Sequence, residues 1–199
     1  MHRTFLGLAV AMTAGLVVAR AGLAEDQEKP EPKTITLEND LEGAVPGSWR
    51  PVEPEFPRFR KLQFALPRIE GDTADGVFII YHFGKGGGGS LEDNLERWYG
   101  MMEQPEGKSS KEVGKVAEIE AGQGEKAIKI TWLDLPGTYL DRPFPRSPEV
   151  TKRAHYRLFA AYVDGGSEGP YWVRAYGPDK TMLAEREGFE GFLKSLRTK

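Results

Sequence analysis

The clearest hydrophobic pattern in this chain is an unbroken apolar and aromatic run at 77–83, VFIIYHF. Its length and its content of β-branched and aromatic residues predict a buried β-strand. A glycine-rich stretch at 84–89 follows directly and predicts a flexible loop. We expect this strand, the loop and the segment after it to form the central packing unit of the fold.

The segment after the glycine loop carries hydrophobic residues at a helical spacing. Ser90 can cap the first free amide groups, and Glu92 and Asp93 place negative charge where the helix dipole favours it. Residues 104–107, QPEG, end the pattern. We therefore expect a helix that begins at Ser90 and packs on the sheet, each large apolar side chain contributing roughly 1.5–3 kcal/mol. Its apolar face comprises Leu91, Leu95, Trp98 and Met102.

Alternating hydrophobic patterns elsewhere predict strands joined in hairpins. The segments 112–121 and 123–133 form one predicted pair, and 155–163 with 171–176 form another. The proline-rich stretch 136–150 is predicted to leave the sheet as a long excursion. Successive hairpins imply an α+β domain, with a mainly antiparallel β-sheet flanked by helices. The two closing helices are predicted at 178–187 and over Phe189, Phe192, Leu193 and Leu196.

The N-terminus has the pattern of an export signal at 1–24. A short basic leader precedes an apolar segment, and small residues follow at 22–24. The alternative is an uncleaved membrane anchor, but the apolar segment is short for a membrane span. Because the chain contains no cysteine, a lipid-anchored form is excluded. We expect an exported, periplasmic or extracellular protein with no stable membrane span after cleavage, a disordered charged linker at 25–33 and one domain at 34–199.

The remaining charge and metal-ligating residues restrict the possible partners. Removal of residues 1–24 from the 199-residue chain leaves 175 residues with an excess of five acidic side chains. This balance argues against nucleic acid as a partner. With only His82 and His155 left and no cysteine, we predict no metal site and no cofactor.

The glycine loop formally satisfies G-x-G-x-x-G between a strand and a helix, the pattern of dinucleotide binding. A run of glycines satisfies almost any glycine pattern, however, and the predicted hairpins differ from repeated βαβ units. Glu92 and Asp93 would also repel a pyrophosphate at the helix start. The favoured interpretation is a flexible or partner-contacting loop, with nucleotide binding as the alternative.

A second formal motif is G-x-S-x-G at 165–169, which resembles the nucleophile elbow of hydrolases. That elbow requires a strand-to-helix turn, whereas a predicted strand follows here. A glycine-rich hairpin turn is the favoured interpretation. The alternative is a serine hydrolase that uses Ser167 with His155.

Two stretches are candidate contact surfaces for a partner. The first consists of Lys85, Gly86, Gly87, Gly88 and Gly89 of the glycine loop. The second is YLDRPFPR at 139–146, where aromatic and arginine side chains of the kind enriched at interfaces lie among prolines. A plain edge-covering loop is the alternative for this stretch. Its candidate contact residues are Tyr139, Arg142, Phe144 and Arg146.

A family resemblance follows from several segments in their order along the chain. These are Trp49, FRKLQFALP at 59–67, the glycine loop, NLERWYG at 94–100 and the closing YGPDKT and FEGFLKSL. The chain resembles uncharacterised exported bacterial proteins of the PsbP-like superfamily, over about 37–196. The resemblance implies an antiparallel sheet between helices and a binding or assembly role without known catalytic residues. The metal and photosystem contacts of PsbP have no matching motif here.

Three functional hypotheses result. The first is a non-enzymatic binding or accessory domain that contacts a protein or envelope component through the two candidate surfaces. The second is a small-molecule carrier with a pocket between the sheet and the Ser90 helix, lined by Trp98 and Trp132. The third is the Ser167 hydrolase, which requires hydrogen-bond reach to His155.

Overall fold

The computed structural model describes residues 30–144 and 147–199. The predicted signal at 1–24 and residues 25–29 of the predicted linker lie outside this range. Within the described residues the strands are β1 Lys33–Leu37, β2 Leu41–Val45, β3 Arg50–Pro51, β4 Arg60–Leu66, β5 Gly76–His82, β6 Met102–Glu103, β7 Lys115–Ala121, β8 Ile128–Asp141, β9 Thr151–Asp164, β10 Tyr171–Pro178 and β11 Arg197–Thr198. The α-helices of the same residues are α1 Leu91–Tyr99, α2 Ser110–Val113, α3 Asp179–Ala184 and α4 Arg186–Ser195.

The strands form one large and one small antiparallel sheet. The large sheet has the order β3-β4-β5-β10-β9-β8-β6, with β7 beside the first half of β8, and the small sheet has the order β1-β2-β11. Both predicted hairpins are present, because β7 pairs with β8 and β9 pairs with β10. The prediction of an α+β fold with a mainly antiparallel sheet is confirmed.

One face of the large sheet forms the main hydrophobic core. Its side chains meet those of α3, α4 and the small sheet, as in the edge-to-face contact of Phe78 with Phe192 at 5.2 Å between ring centres. Trp49 fills the same core and donates its indole N–H to Glu185 at 2.7 Å. Helices α3 and α4 lie where the two closing helices were predicted, so this prediction is confirmed.

The opposite face of the sheet is covered in part by α1. Trp98 of this helix is buried among sheet residues, and Leu95 packs partly buried beside it. Ser90 caps the helix, since its hydroxyl accepts from the Asp93 amide at 3.0 Å while the Asp93 carboxylate accepts from the Ser90 amide. The predicted start and packing of the helix are confirmed. The predicted face is too long, however, because the helix ends at Tyr99 and Met102 lies in β6.

Several predicted boundaries are wrong. The strand predicted at 112–121 begins only at Lys115, because Ser110–Val113 forms α2. Lys33 opens β1 and so belongs to the sheet, although the linker was predicted to extend to this residue. The stretch 136–150 does not leave the sheet at its first residue, because β8 continues to Asp141. Pro136 still pairs with β9, and a register shift between Gly137 and Tyr139 accommodates the irregular backbone.

Candidate functional site

A cavity of about 480 Å³ lies between α1 and the large sheet. We call it the α1 cleft. It is built from five separate segments of the chain, and nine of its seventeen lining residues are aromatic, so its walls are mostly flat and apolar. The lining residues are Phe56, Phe59, Arg60, Tyr81, Phe83, Asn94, Arg97, Trp98, Tyr139, Leu140, Asp141, Arg142, Pro143, Phe144, Trp172, Arg174 and Tyr176.

Strand β10 provides the sheet side of the α1 cleft. Trp172, Arg174 and Tyr176 alternate along it and therefore project from the same face. Tyr176 stacks on Tyr139 of β8 with 4.7 Å between ring centres. The strand thus places one cationic side chain within a row of aromatic rings.

Arg174 is the unusual residue of this row. Its guanidinium lies 5.0 Å from the ring centre of Tyr81 and donates to the Tyr81 hydroxyl and to the Met101 sulfur, the latter at 3.2 Å. Its Nε is buried and has no acceptor among the described residues. None of the carboxylates in residues 30–144 and 147–199 forms an ion pair with it, although ion pairs are common elsewhere in this chain.

The tyrosines around Arg174 do not neutralise its charge. Burial raises the pKa of both Tyr139 and Tyr176, so their hydroxyls stay protonated at neutral pH. Burial alone would lower the pKa of Arg174, but the surrounding tyrosine oxygens outweigh it and the pKa lies above its ordinary value. The guanidinium therefore remains charged beside neutral neighbours.

Three further arginines add positive charge to the α1 cleft. Arg97 donates to the neutral amide oxygen of Asn94 at 2.8 Å, and Arg142 donates to a backbone carbonyl. Arg60 forms an ion pair with the exposed carboxylate of Glu55 at 3.3 Å. The lining carboxylate, Asp141, is paired with Arg153 at 2.8 Å. The α1 cleft is consequently an aromatic site with an excess of positive charge.

Exposed aromatic side chains surround the mouth of the α1 cleft. All four exposed phenylalanines of the described residues line it, with Phe144 the most exposed at 58%. Large apolar side chains gathered at one place on a surface mark a binding region more often than scattered ones do. The four are Phe56, Phe59, Phe83 and Phe144.

The glycine loop lies beside the α1 cleft but does not line it. A Cβ on Gly88 would lie 2.2 Å from the indole nitrogen of Trp172, so the loop packs closely over that ring. Asn94 donates to the Gly88 carbonyl at 2.8 Å and fixes the loop to α1. Lys85 and Gly86 are exposed. At the start of α1 the Asp93 carboxylate occupies the position that a pyrophosphate would need.

The candidate contact residues predicted in 139–146 differ from one another in their exposure to solvent. Tyr139 was expected in an exposed loop, but it lies in β8 and is only 7% exposed, because the strand extends further than the proline pattern suggests. Arg142 and Phe144 are exposed as expected, and all three line the α1 cleft. Arg146 lies outside the described residues.

The pocket predicted between the sheet and α1 is present, with one of its two expected tryptophans. Trp98 lines it, whereas Trp132 projects into the main core on the opposite face of the sheet. The even-numbered residues of this part of β8 share that face, as Ile130 does. The prediction for Trp132 is therefore wrong.

The two residues of the hydrolase hypothesis lie at opposite ends of a hairpin. Ser167 is in the turn after β9, where its amide donates to Asp40, and His155 is near the start of β9. Asp164 lies nine positions after His155 in the same strand, a span of roughly 25–30 Å at about 3.3 Å per residue. The side chains cannot share a hydrogen bond.

The sequence interpretation did not identify several residues of the α1 cleft. Phe56 and Phe59 lie near several prolines, where the sequence has no periodic pattern that singles them out. Arg174 gave a usable signal, since a cationic residue between Trp172 and Tyr176 interrupts an otherwise apolar strand. An arginine at a half-buried strand position requires a partner or a ligand.

Two further properties concern the described residues only. No helix in 30–144 or 147–199 is both long and apolar enough to span a bilayer. The same residues contain no cluster of three or more histidine, aspartate or glutamate side chains suited to a metal ion.

No protein-family model matches this chain, and no curated protein matches it. Among solved structures, the solution structure of cyanobacterial PsbP (CyanoP) from Synechocystis sp. PCC 6803 is similar to it, with a TM-score of 0.45 and 11% sequence identity. The match covers 90% of this chain and 99% of the PsbP chain.

Proposed function

We propose that this protein is an exported, non-enzymatic binding domain that holds a small molecule in the α1 cleft. The cavity of about 480 Å³ carries the proposal, since ligand pockets commonly have volumes of 300–1,000 Å³. Its aromatic walls offer a large contact area to a flat apolar ligand. The export part of the proposal rests on the N-terminal pattern at 1–24.

Binding of N-phenyl-1-naphthylamine, a neutral aromatic dye that fluoresces in apolar sites, tests this proposal. We expect saturable fluorescence enhancement with one dye per chain. Truncation of the exposed rings in Phe56→Ala and Phe59→Ala should each weaken binding about fivefold, because each removes about 1 kcal/mol of apolar contact. Leu183→Ala is the matched control, since the exposure of Leu183, 44%, lies between those of Phe56 and Phe59 and the residue belongs to α3, beyond the opposite face of the sheet.

Two results would count against the small-molecule proposal. One is a complete lack of saturable enhancement in the folded protein. The other is an equal loss of affinity in Leu183→Ala and the Phe56 and Phe59 variants, which would place the dye elsewhere.

Contact with a protein or envelope component is the second candidate function. The exposure of Phe144 and Phe56, at 58% and 54%, favours it, because such rings are available to a partner without entry into the cavity. A partner of this kind, captured by cross-linking in intact cells, should lose contact in Phe144→Ala but not in Tyr176→Phe. Dependence on Tyr176, deep in the α1 cleft, would instead indicate a ligand inside the cavity.

A further inference from the structure

We infer that the α1 cleft selects organic anions with an aromatic body, and that Arg174 is the residue that meets the anionic group. This inference rests on the proposed function, because it assigns the ligand class of the same cavity. It concerns small carboxylates and sulfonates, whose charged oxygens match the planar donors of a guanidinium.

The charge balance of Arg174 is the first argument. A charge withdrawn from solvent is normally paired, and this chain follows the rule at another partly buried charge cluster. There Arg157 donates to Asp134 at 2.6 Å and to Asp179 at 2.8 Å, and Arg186 pairs with the second oxygen of Asp134. Arg174 has only neutral partners among the described residues. An anion in the α1 cleft would supply the missing countercharge.

The quality of the existing hydrogen bonds is the second argument. One Arg174 nitrogen donates to the thioether of Met101, which is a poor acceptor, and Nε has no acceptor at all in the described chain. Carboxylate or sulfonate oxygens are stronger acceptors than either a thioether or a tyrosine hydroxyl. Exchange of these neutral contacts for charged ones would strengthen the hydrogen bonding of the guanidinium.

The composition of the walls is the third argument, and it concerns the body of the ligand. An inorganic anion would make no use of the aromatic wall that Trp98, Tyr139 and Tyr176 contribute to the cavity. A flat aromatic body can pack against this wall while its charged group reaches Arg174. Arg97 and Arg142 at the cleft add to the attraction for an anion and have no carboxylate partner in the described residues.

Two dyes with the same skeleton provide the test. These are 1-anilinonaphthalene-8-sulfonate and N-phenyl-1-naphthylamine, which differ by one sulfonate group. We expect the sulfonate to bind the full-length protein at least tenfold more tightly, and this preference to fall as the salt concentration rises. The ratio of the two affinities should fall to about one in Arg174→Met and should partly recover in Arg174→Lys. Arg197→Met, a surface variant in the small sheet, should retain the full ratio.

The outcomes separate this inference from the proposed function. Equal affinity for both dyes in the unmodified protein would overturn the preference for anions and leave a neutral small-molecule site in place. Failure of both dyes to bind would overturn the proposed function and the inference together. A sulfonate preference that survives in folded Arg174→Met would exclude Arg174 as the anion contact. The ratio in the unmodified protein decides the ligand class even where Arg174→Met does not fold.

Discussion

The packing of the glycine loop on Trp172 leads to a quantitative prediction for Gly88→Ala. Gly88 has a φ of +86°, and a methyl group there would lie 2.2 Å from the indole nitrogen. The left-handed backbone costs an alanine about 1–2 kcal/mol. The indole is 3% exposed and packs against Tyr162 with 4.6 Å between ring centres, so on that side it has little room to retreat. Overpacking of this kind costs about 1–3 kcal/mol.

Gly88→Ala should therefore lower the free energy of unfolding by about 2–5 kcal/mol. The control is Gly86→Ala in the same loop, with a φ of +70° and no atom within 4 Å of the added methyl group. It should show only the backbone cost of about 1–2 kcal/mol. Urea unfolding followed by tryptophan fluorescence measures both values. If the two variants differ by less than about 0.5 kcal/mol, the loop does not pack on Trp172 as described.

Two further predictions concern charged groups. Hydrogen bonds from the Ser90 side chain and backbone lower the pKa of Asp93, so its contribution to stability is present above the ordinary value of 3.8 and is lost as the pH falls through the lower folded value. The stability difference between the unmodified protein and Asp93→Asn should shrink over that acid range in urea unfolding, and a constant difference would refute this account of the helix cap. Asp134→Asn should lower the free energy of unfolding by about 3 kcal/mol at neutral pH. The substitution removes the buried carboxylate that Arg157 and Arg186 share. A loss below about 1 kcal/mol would show that this carboxylate is not buried in solution.

The fold was largely predictable because its signals are local. The cap at Ser90, the hairpin turns and the closing helix each depend on residues close together in sequence. One exception is the end of β8, where Pro136 and Gly137 suggested a loop. Tertiary contacts maintain the strand there: the Gln104 side chain donates to the Pro136 carbonyl at 2.9 Å, and Met102 of β6 pairs opposite Tyr139. The periodicity of a sequence carries no information on such contacts between distant residues.

The candidate site was less predictable because it combines distant segments. Phe56 and Tyr176 line one cavity although 120 positions separate them. A pocket beneath the Ser90 helix could be proposed, since that helix had one apolar face. Its other walls depend on which strands pair and in which register, and a shift of one residue moves every side chain to the opposite face. The misplacement of Trp132 is an error of this kind.

The difference in length between helix and strands explains why the cavity exists. Helix α1 has nine residues and a length of about 14 Å at 1.5 Å per residue, whereas β8 and β9 have fourteen residues each and a length of about 46 Å. The helix therefore covers at most about a third of the length of these strands. Long aromatic side chains protect part of the remaining surface, and these same rings form the walls of the α1 cleft. The main hydrophobic core lies on the opposite face of the sheet, so the packing of that core does not require an apolar side chain at Arg174.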